Sequence, residues 1–586
     1  MAQKIPNVTV SIQNHDKPVV YRNLILNQTV CGHHYFSFIW NIGNISHDSG
    51  SQLDVVKNNI GSTISIQFED HVFNGIITQI TVQEQTSTSQ SFTIKGQSLS
   101  IVIDDVPKSA TYYKKNLQKI IKSTLESVPG NVMKTEVSPT DSEEKHYVVQ
   151  YNETDFQFLS RLAIRYGEWF YYDGTTLVFG KPGDSNAVLK SGSNLTNYII
   201  QANIKASKFS FKSYDYHKGE PVNKELSSFS SDVKNDFSTA VADKSKEVYT
   251  RADDRPMHNF NLSNKKMVDA AIELETKRIA SQMLFAKGSS KHHALRPGYK
   301  FIVETSNGNY DYIATNVTHI SNVAGHYENS FVAIPATVKV PPYTDPHLFR
   351  EAGTQTALVK ENHDTDGVNR VKVQFHWQKS ADMTPWIRVG TPHAGSGKGF
   401  HFIPEKGEEV IVAFDGGDVE KPFVVNSIFH GGAKSGSGDS DNNVKSFATR
   451  SGNKVSLDDS AGSILIVDKA GNQVQIDGSG NITISSSASI TLKSKDIVLK
   501  ADEGIVLDAK NIMLTASEDI VLDAGKDASI SGKQNANLGS DMKVAVAGKM
   551  SVEIQSNTKV SVFSAAQLEL MGSAMNTITG GIVKIN

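Results

Sequence analysis

Cysteine is nearly missing from this chain of 586 residues, Cys31 being the only one. An intrachain disulfide is excluded, and the usage agrees with synthesis in a reducing compartment. Long apolar runs are missing too. No window approaches 18 continuous apolar residues, so no helical membrane span is expected. The opening "MAQKIPNVTVSIQNHDK" has no apolar core behind its lysine, so no secretory signal is expected, and export would need a route without one. An excess of one charge is also absent. The formal net charge is −3, which leaves no electrostatic footprint for nucleic acid. With 38% hydrophobic and 21% charged residues the chain is folded rather than disordered, and its length suggests about three or four domains.

Signatures of catalysis are equally scarce. "GTPHAGSGKGF" (390–400) fails as a phosphate loop, because Pro392 stands where the first Gly belongs and Gly399 follows Lys398. A nucleophile elbow needs Gly where Ala394 stands, two before Ser396. "DSDNN" (439–443) starts like a calcium loop but has no Gly at its sixth position and Arg450 at its twelfth. The adjacent pairs His33-His34 and His292-His293 point to opposite faces of a strand, so neither suits one metal, and both are expected on polar surface. Only about 18 residues separate Gly432 from Ser451, and the chain's last apolar pair lies close to "GGIVKIN". Neither place is expected to hold a catalytic domain. No enzyme, cofactor or metal site is therefore expected.

What is present is mostly strand. In residues 1–105, "STISIQFEDHVFNGIITQITV" alternates apolar and polar residues around a turn. Helical spacing predicts helices in 114–128 and 155–174, with Thr154 or Asp155 as N-cap of the second, and in 265–288, ending on a capping Gly. Residues 225–260 are polar and read as a long loop or irregular arm. "VKVPPYTDPHLFREAGTQTA" (338–357) marks a boundary, and 357–432 packs about five strands into a block suited to a small oligonucleotide/oligosaccharide-binding (OB) barrel, with Phe375, Trp377 and Trp386 as core. "HGGAKSGSGDSDNN" (430–443) reads as a flexible linker.

From about residue 450 Pro, Trp and Tyr disappear and a repeat begins. Its clearest part is a ridge of pairs every seven or eight residues: Ile490/Leu492, Ile497/Leu499, Ile505/Leu507, Ile512/Leu514 and Ile520/Leu522. The ridge starts at Val474/Ile476 and Ile482/Ile484 and continues less cleanly to Val583/Ile585. Apolar pairs of period two inside a longer fixed period mark a β-solenoid. So thin a strand buries almost nothing alone and is stable only when stacked. Seven or eight residues suit one face of a triangular prism, whose faces could come from one chain or from three. About fourteen units at roughly 4.7 Å per strand give a rod on the order of 65 Å. Its outside reads as charged and small, with Lys493, Lys495, Asp496, Lys500 and Asp508.

The stretch "GVNRVKVQFHW…WIRVGTPHAGSGKGFHFIPEKGEEVIVAFDGGDVEKPFVVNSIFHGG" (367–432) resembles the barrel of VgrG proteins, the spikes of type VI secretion systems, related to hub and puncturing proteins of contractile phage tails. The family pattern is kept at Arg370–Trp377, Trp386–Val389, Ile403–Pro404, Gly407, Glu409–Val410, Gly417–Asp418 and Pro422. "YNETDFQFLSRLAIRYGEWFYYDG" (151–174) is similar to its hub, and "SGNKVSLDDSAGSILI" (451–466) to its entry into the needle. The resemblance implies a mainly β protein: a phage-hub-like domain at 1–345 made of two barrel-like halves with α/β insertions, an OB-fold neck at 346–432, a flexible linker at 433–450 and a needle at 451–586. The needle would be a triangular β-helix intertwined from three chains, with the quoted Ile/Leu pairs on its axis. The implied function is a non-enzymatic spike and hub that caps the inner tube, punctures target membranes and delivers effectors. Implied partners are an Hcp-like tube protein, baseplate proteins, effectors and a PAAR-type tip protein against Thr577, Thr579, Val583 and Ile585; nucleic acid is not among them. The chain would be made in the cytoplasm, assembled in a baseplate and secreted by the machine. A spike of an extracellular contractile particle shares this architecture and stays open at this point. An adhesive, carbohydrate-binding stalk is the remaining alternative.

Overall fold

In the computed structural model every residue is described except 1–7, 14, 41–51, 70, 87–88, 216–217, 226–235, 252, 257–264, 323–325, 380 and 586. The extreme amino terminus and part of the polar stretch 225–260 thus lie outside the described residues. The chain divides into two compact units, Met1–Ser440 and Asp441–Asn586.

Alternation in the first segment becomes the strands Thr63–Gln67 and Val72–Thr86, with Ile64, Ile66, Phe73 and Ile77 fully buried. They belong to a twelve-stranded sheet that joins both ends of the hub segment. The join is Tyr21–Thr29, antiparallel to Gly308–Ser321, with Asn27 opposite Thr318 and Thr29 opposite Asn316. One seam of main-chain hydrogen bonds therefore closes a loop of nearly 300 residues, and the two halves share one sheet.

Between them lies an α/β insertion. Its helix Asp155–Tyr166 starts at Thr154, whose side chain accepts from the Gln157 amide while Gln157 reaches back to the Thr154 amide. Gly167, at φ +69, ends it and releases the fully buried strand Trp169–Tyr172. The helix predicted over 155–174 thus stops at Tyr166, and three further helical readings need correction. The predicted helix at 114–128 is only Leu117–Thr124, because Lys108–Asn116 is a strand and Asn116 caps the helix. The third helix ends at Ser281, not at its glycine. Gly288 lies within the strand Leu284–Ser290, where the Phe331 ring comes within 2.7 Å of any added Cβ. Finally, the arm read as irregular contains the helix Asp236–Val248, whose Ala242 joins a core with Phe209 and Phe211.

The barrel segment forms a four-stranded sheet of Gln355–Glu361, Lys372–Phe375, Glu409–Phe414 and Pro422–Ser427, closed by bridges from Val371 to Ile387 and Val389 to Val424. Phe375 is buried, whereas Trp377 and Trp386 are only partly covered. In the second unit, Val444–Ala448 is already a strand, inside the stretch expected to be linker. It opens a five-stranded antiparallel meander ending at Ile482–Ser485. The pairs Val474/Ile476 and Ile482/Ile484, read as the first solenoid units, belong to this meander.

His33 and His34 are buried, not on polar surface. His33 stacks on Phe156 with ring centroids 3.7 Å apart, and His34 lies between Phe73 and Tyr172, so the two do point apart. His34 ends a directional chain through the hub core. Tyr327 O–H donates to His319 Nδ1 (2.6 Å), His319 Nε2 to Gln28 Oε1 (2.9 Å), Gln28 Nε2 to His34 Nδ1 (3.2 Å) and His34 Nε2 to the Thr29 carbonyl (3.1 Å). Each imidazole has one donor and one acceptor satisfied, which only the neutral ring can do. Burial pushes His34 and His319 down to about 3. His71, stacked on Phe68, is pushed down to about 2 by burial and then by the charges of His319, Arg296 and His293.

All three rings stay neutral in the fold but protonate once the chain unfolds below pH 6.5. Their stabilisation is complete above that pH and is lost as pH falls toward 3. Urea unfolding followed at pH 7, 6, 5 and 4 should show stability falling by up to about 4 kcal/mol per pH unit below 6.5. His319→Gln should flatten that slope by about one proton; an unchanged slope would remove this ring from the account.

Candidate functional site

Two features of the described residues stand out, a buried ion-pair cluster and an uncovered apolar surface. The first is a buried ionic joint between hub and barrel. Strand Glu144–Glu153 of the hub lends Tyr147 and Val149 to the barrel core, beside Val359, Val373 and Val412. From the barrel, the turn Asp415–Gly417 delivers Asp418 and Glu420; Gly416 and Gly417, at φ +60 and +80, take a backbone conformation open to glycine. Glu420 receives Arg165 Nη1 at 2.6 Å and lies 3.6 Å from Arg161 Nη1. Arg161 also clamps Glu153 at 2.8 Å and donates to the Val149 carbonyl. Every one of these side chains is less than a tenth exposed. Burial works against the charge on Arg165, yet the Glu420 carboxylate holds its pKa above the ordinary value. Burial, with Glu420 nearby, pushes Asp418 up to about 6, and burial pushes Lys421 down to about 8. The Gly417-Asp418 motif, legible only as a family signature in the sequence, thus sits at the joint. Arg161, Arg165 and Glu420 went unnoticed; two arginines four apart on an apolar helix face were the available signal.

The second feature is apolar surface without cover. On one face of the meander, Phe447, Val455, Ile466, Val474 and Ile484 stand directly opposite one another across all five strands. A second row, Leu457, Ile464, Ile476 and Ile482, runs beside it. The opposite face is the more polar one, carrying Ser446, Ser456, Gln475 and Thr483 with Leu465 and Val467 among them. A sheet so divided folds with its apolar side against something.

Beyond Ser486 the chain runs extended, with bends at 487–488, 495, 502–503, 510, 517–518, 525–526 and then every eight residues to 581. Units beginning at Ser494 and Ala509 span seven residues and bend at a single one, whereas eight-residue units bend at two. The residue ahead of each bend is always Ser, Ala or Gly. At Gly532 and Gly548 an added Cβ would come within 2.4 and 2.2 Å of the carbonyls of Asn535 and Ser551. At Ser540 and Ser556 the hydroxyl instead accepts from backbone amides two and three residues on. This column of small residues was present in the sequence and unread.

The sequence-predicted axial residues all lie in these units, and none is covered within the chain. Ile490, Ile497, Ile505, Ile512 and Ile520 are 52–54% exposed, and Leu492, Leu499, Leu507, Leu514 and Leu522 are 62–73% exposed. Near the end, Thr577 and Thr579 alternate with Asn576 and Ile578 in one unit, while Val583 and Ile585 follow the next bend. Asn576 takes the place of an apolar pair member and donates to the Leu570 carbonyl at 3.2 Å. Among the described residues no cluster of side chains suits a metal, and no helix is long and apolar enough to cross a membrane.

Because removing one partner of a buried ion pair strands the other, Arg165→Met should cost about 3–5 kcal/mol. Adding Glu420→Leu should recover much of that loss, since no lone charge then remains. Denaturant unfolding of the two variants checks this; strictly additive losses would show that the pair does not couple hub to barrel.

Two family profiles match the chain in order. Residues 45–324 match the phage tail baseplate hub (GPD), and 355–429 match the type VI secretion system/phage-baseplate injector OB domain. The spike protein VgrG4b of Pseudomonas aeruginosa is 26% identical over 347 residues, 49% of this chain and 40% of the relative. The actin cross-linking toxin VgrG1 of Vibrio cholerae is 26% identical over 331 residues, 50% of this chain and 29% of the toxin. The matches thus span less than half the length of either relative. A chain in the half-lidded Francisella PdpA–VgrG complex shares the fold at TM-score 0.53 and 8% identity, covering 82% of this chain and 88% of that one. With hub and injector OB segments in this order and VgrG spikes among its relatives, the chain belongs to the VgrG family of type VI secretion spike proteins.

Proposed function

We propose that the protein is the non-enzymatic, trimeric hub and spike of a type VI injection machine. The observation that carries this reading is the uncovered ridge: some hundred residues of extended chain whose Ile, Leu and Val side chains are 49% or more exposed. Burying one such side chain is worth roughly 1.5–3 kcal/mol, so isolated chains bearing dozens of them would associate without limit. Three copies related by a threefold axis close the assembly, because each supplies one face of a prism and the pairs meet at its centre. The apolar face of the meander finds its cover in the same way.

In this reading residues 1–345 form the hub on an Hcp-like inner tube and 346–432 the OB neck. Residues 433–450 link the neck to the needle, 451–586, which carries thrust to a target membrane. Ile490 to Leu522 pack on the axis, and the blunt end around Thr577, Thr579, Val583 and Ile585 seats a PAAR-type tip. Baseplate proteins and effectors are the remaining partners. The chain is made in the cytoplasm, assembled in the baseplate and exported by the machine without a cleaved signal. No step calls for a cofactor.

Light scattering of the purified chain should give three times 63.9 kDa. Placing carboxylates on a dry axis with Ile505→Asp and Leu507→Asp should abolish that species, since a buried unpaired charge costs several kcal/mol in each of three chains. A soluble double variant that remains trimeric would count decisively against axial packing.

A further inference from the structure

Between the two members of each apolar pair stands one residue pointing the other way, as period two requires. In the distal units it is small or polar: Ser529, Asn537, Ala545, Glu553, Ser561 and Glu569. In four successive proximal units it is Val498, Val506, Met513 and Val521. These four are 80–87% exposed, more than any of their paired neighbours, so this part of the needle is apolar on both sides. The axis cannot use the second side. Given the trimeric needle proposed above, on which this inference rests, each unit occupies one face and successive units stack at roughly 4.7 Å, so the four side chains form a column about 14 Å long on every face. Two residues before each column member stand Asp496, Gly504, Asn511 and Asp519; two after stand Lys500, Asp508, Thr515 and Asp523. All are exposed, and four aspartates face one lysine.

We propose that this column is a docking stripe for a partner protein segment with apolar residues along its centre and Lys or Arg on its margins. Apolar centre and charged rim are the ordinary anatomy of an interface, and the acidic margins select a basic partner. The same margins repel a second shaft and an anionic lipid surface, so neither is the occupant. Methionine within the column adapts to an irregular surface as branched valine does not. Three equivalent stripes would let one spike carry three partners.

The test uses full-length protein and two labelled nine-residue peptides, one alternating Leu with Lys and one alternating Leu with Glu, followed by fluorescence anisotropy. The Lys peptide should bind and the Glu peptide should not, with affinity falling as salt rises. Val506→Glu with Met513→Glu should weaken the Lys peptide at least tenfold. That sign is decisive, because unspecific attraction of a cationic peptide would grow with two added carboxylates. Ser529→Glu with Ser561→Glu, on the same column farther along, should leave binding unchanged. Should the Glu pair disturb assembly, Val506→Thr with Met513→Thr removes apolar surface without charge and should also weaken binding. A trimeric wild-type chain that fails to discriminate the peptides overturns the stripe alone. A monomeric wild-type chain overturns the trimeric reading and the stripe with it. Association of trimers that vanishes in the Val506/Met513 variants assigns the stripe to a second spike and overturns the proposal as stated.

Discussion

Everything in the second unit depends on one constraint: an apolar pair two residues apart is too narrow to bury itself. A helix or a hairpin presents enough apolar surface to cover part of its own, whereas a strand of seven or eight residues with a bend at each end presents two side chains and nothing behind them. The chain repeats that deficit unit after unit and leaves Ile505 and Leu507 more than half exposed. Stability can then come only from outside the chain. In the trimer proposed above such an element would gain rigidity, because strand edges would pair and ridge residues would find neighbours in other chains.

The first unit follows the opposite rule. Its Tyr327–His319–Gln28–His34 chain and its buried ion pairs close within the chain, and its sheet is closed by pairing residues 24–29 with 316–321. Hub and barrel nevertheless need a joint that resists shear, and the structure supplies one with two materials. Tyr147 and Val149 give the barrel core apolar contact with a hub strand, while Glu420 between Arg161 and Arg165 adds direction. Apolar contact alone permits sliding; a carboxylate held between two buried guanidiniums does not, because any slip unpairs a desolvated charge. Such a joint contributes modestly to net stability and strongly to relative position.

The legibility of the sequence followed from which of these devices leaves a local trace. Strand alternation in 62–82, the capped helix after Thr154 and the OB-type strands are local patterns, and each appears where the pattern places it. The five Ile/Leu pairs were equally plain, since a period is a local property. What escaped were features fixed by distant partners. His33 and His34 look polar in isolation and are buried only because Phe156, Phe73 and Tyr172 arrive from elsewhere. Gly288 looks like a helix cap and instead makes room for Phe331. The strand Val444–Ala448 reads as linker because its serine and lysine conceal Val444 and Phe447, whose cross-strand partners Asp458 and Val455 lie on the next strand.

The bends show how far such a repeat is specified beyond its ridge. A corner that turns within one or two residues leaves no space for a Cβ where Gly532 and Gly548 stand, and elsewhere carries Ser, Ala or Gly, with the hydroxyls of Ser540 and Ser556 taking up backbone amides. Corner chemistry and ridge chemistry are therefore separate constraints on one unit: the first holds along the whole run, whereas the second relaxes at Ala528, Ala536 and Asn576. The position between the pair members is bound by neither, since it faces away from axis and corner alike. It drifts from Val, Val, Met and Val in the proximal units to Ser, Asn and Glu in the distal ones. A position freed of structural duty usually becomes polar, because exposed apolar surface invites aggregation. Over four consecutive units it stays apolar and exposed, a surface that the proposed axial packing does not use and a docked segment would cover.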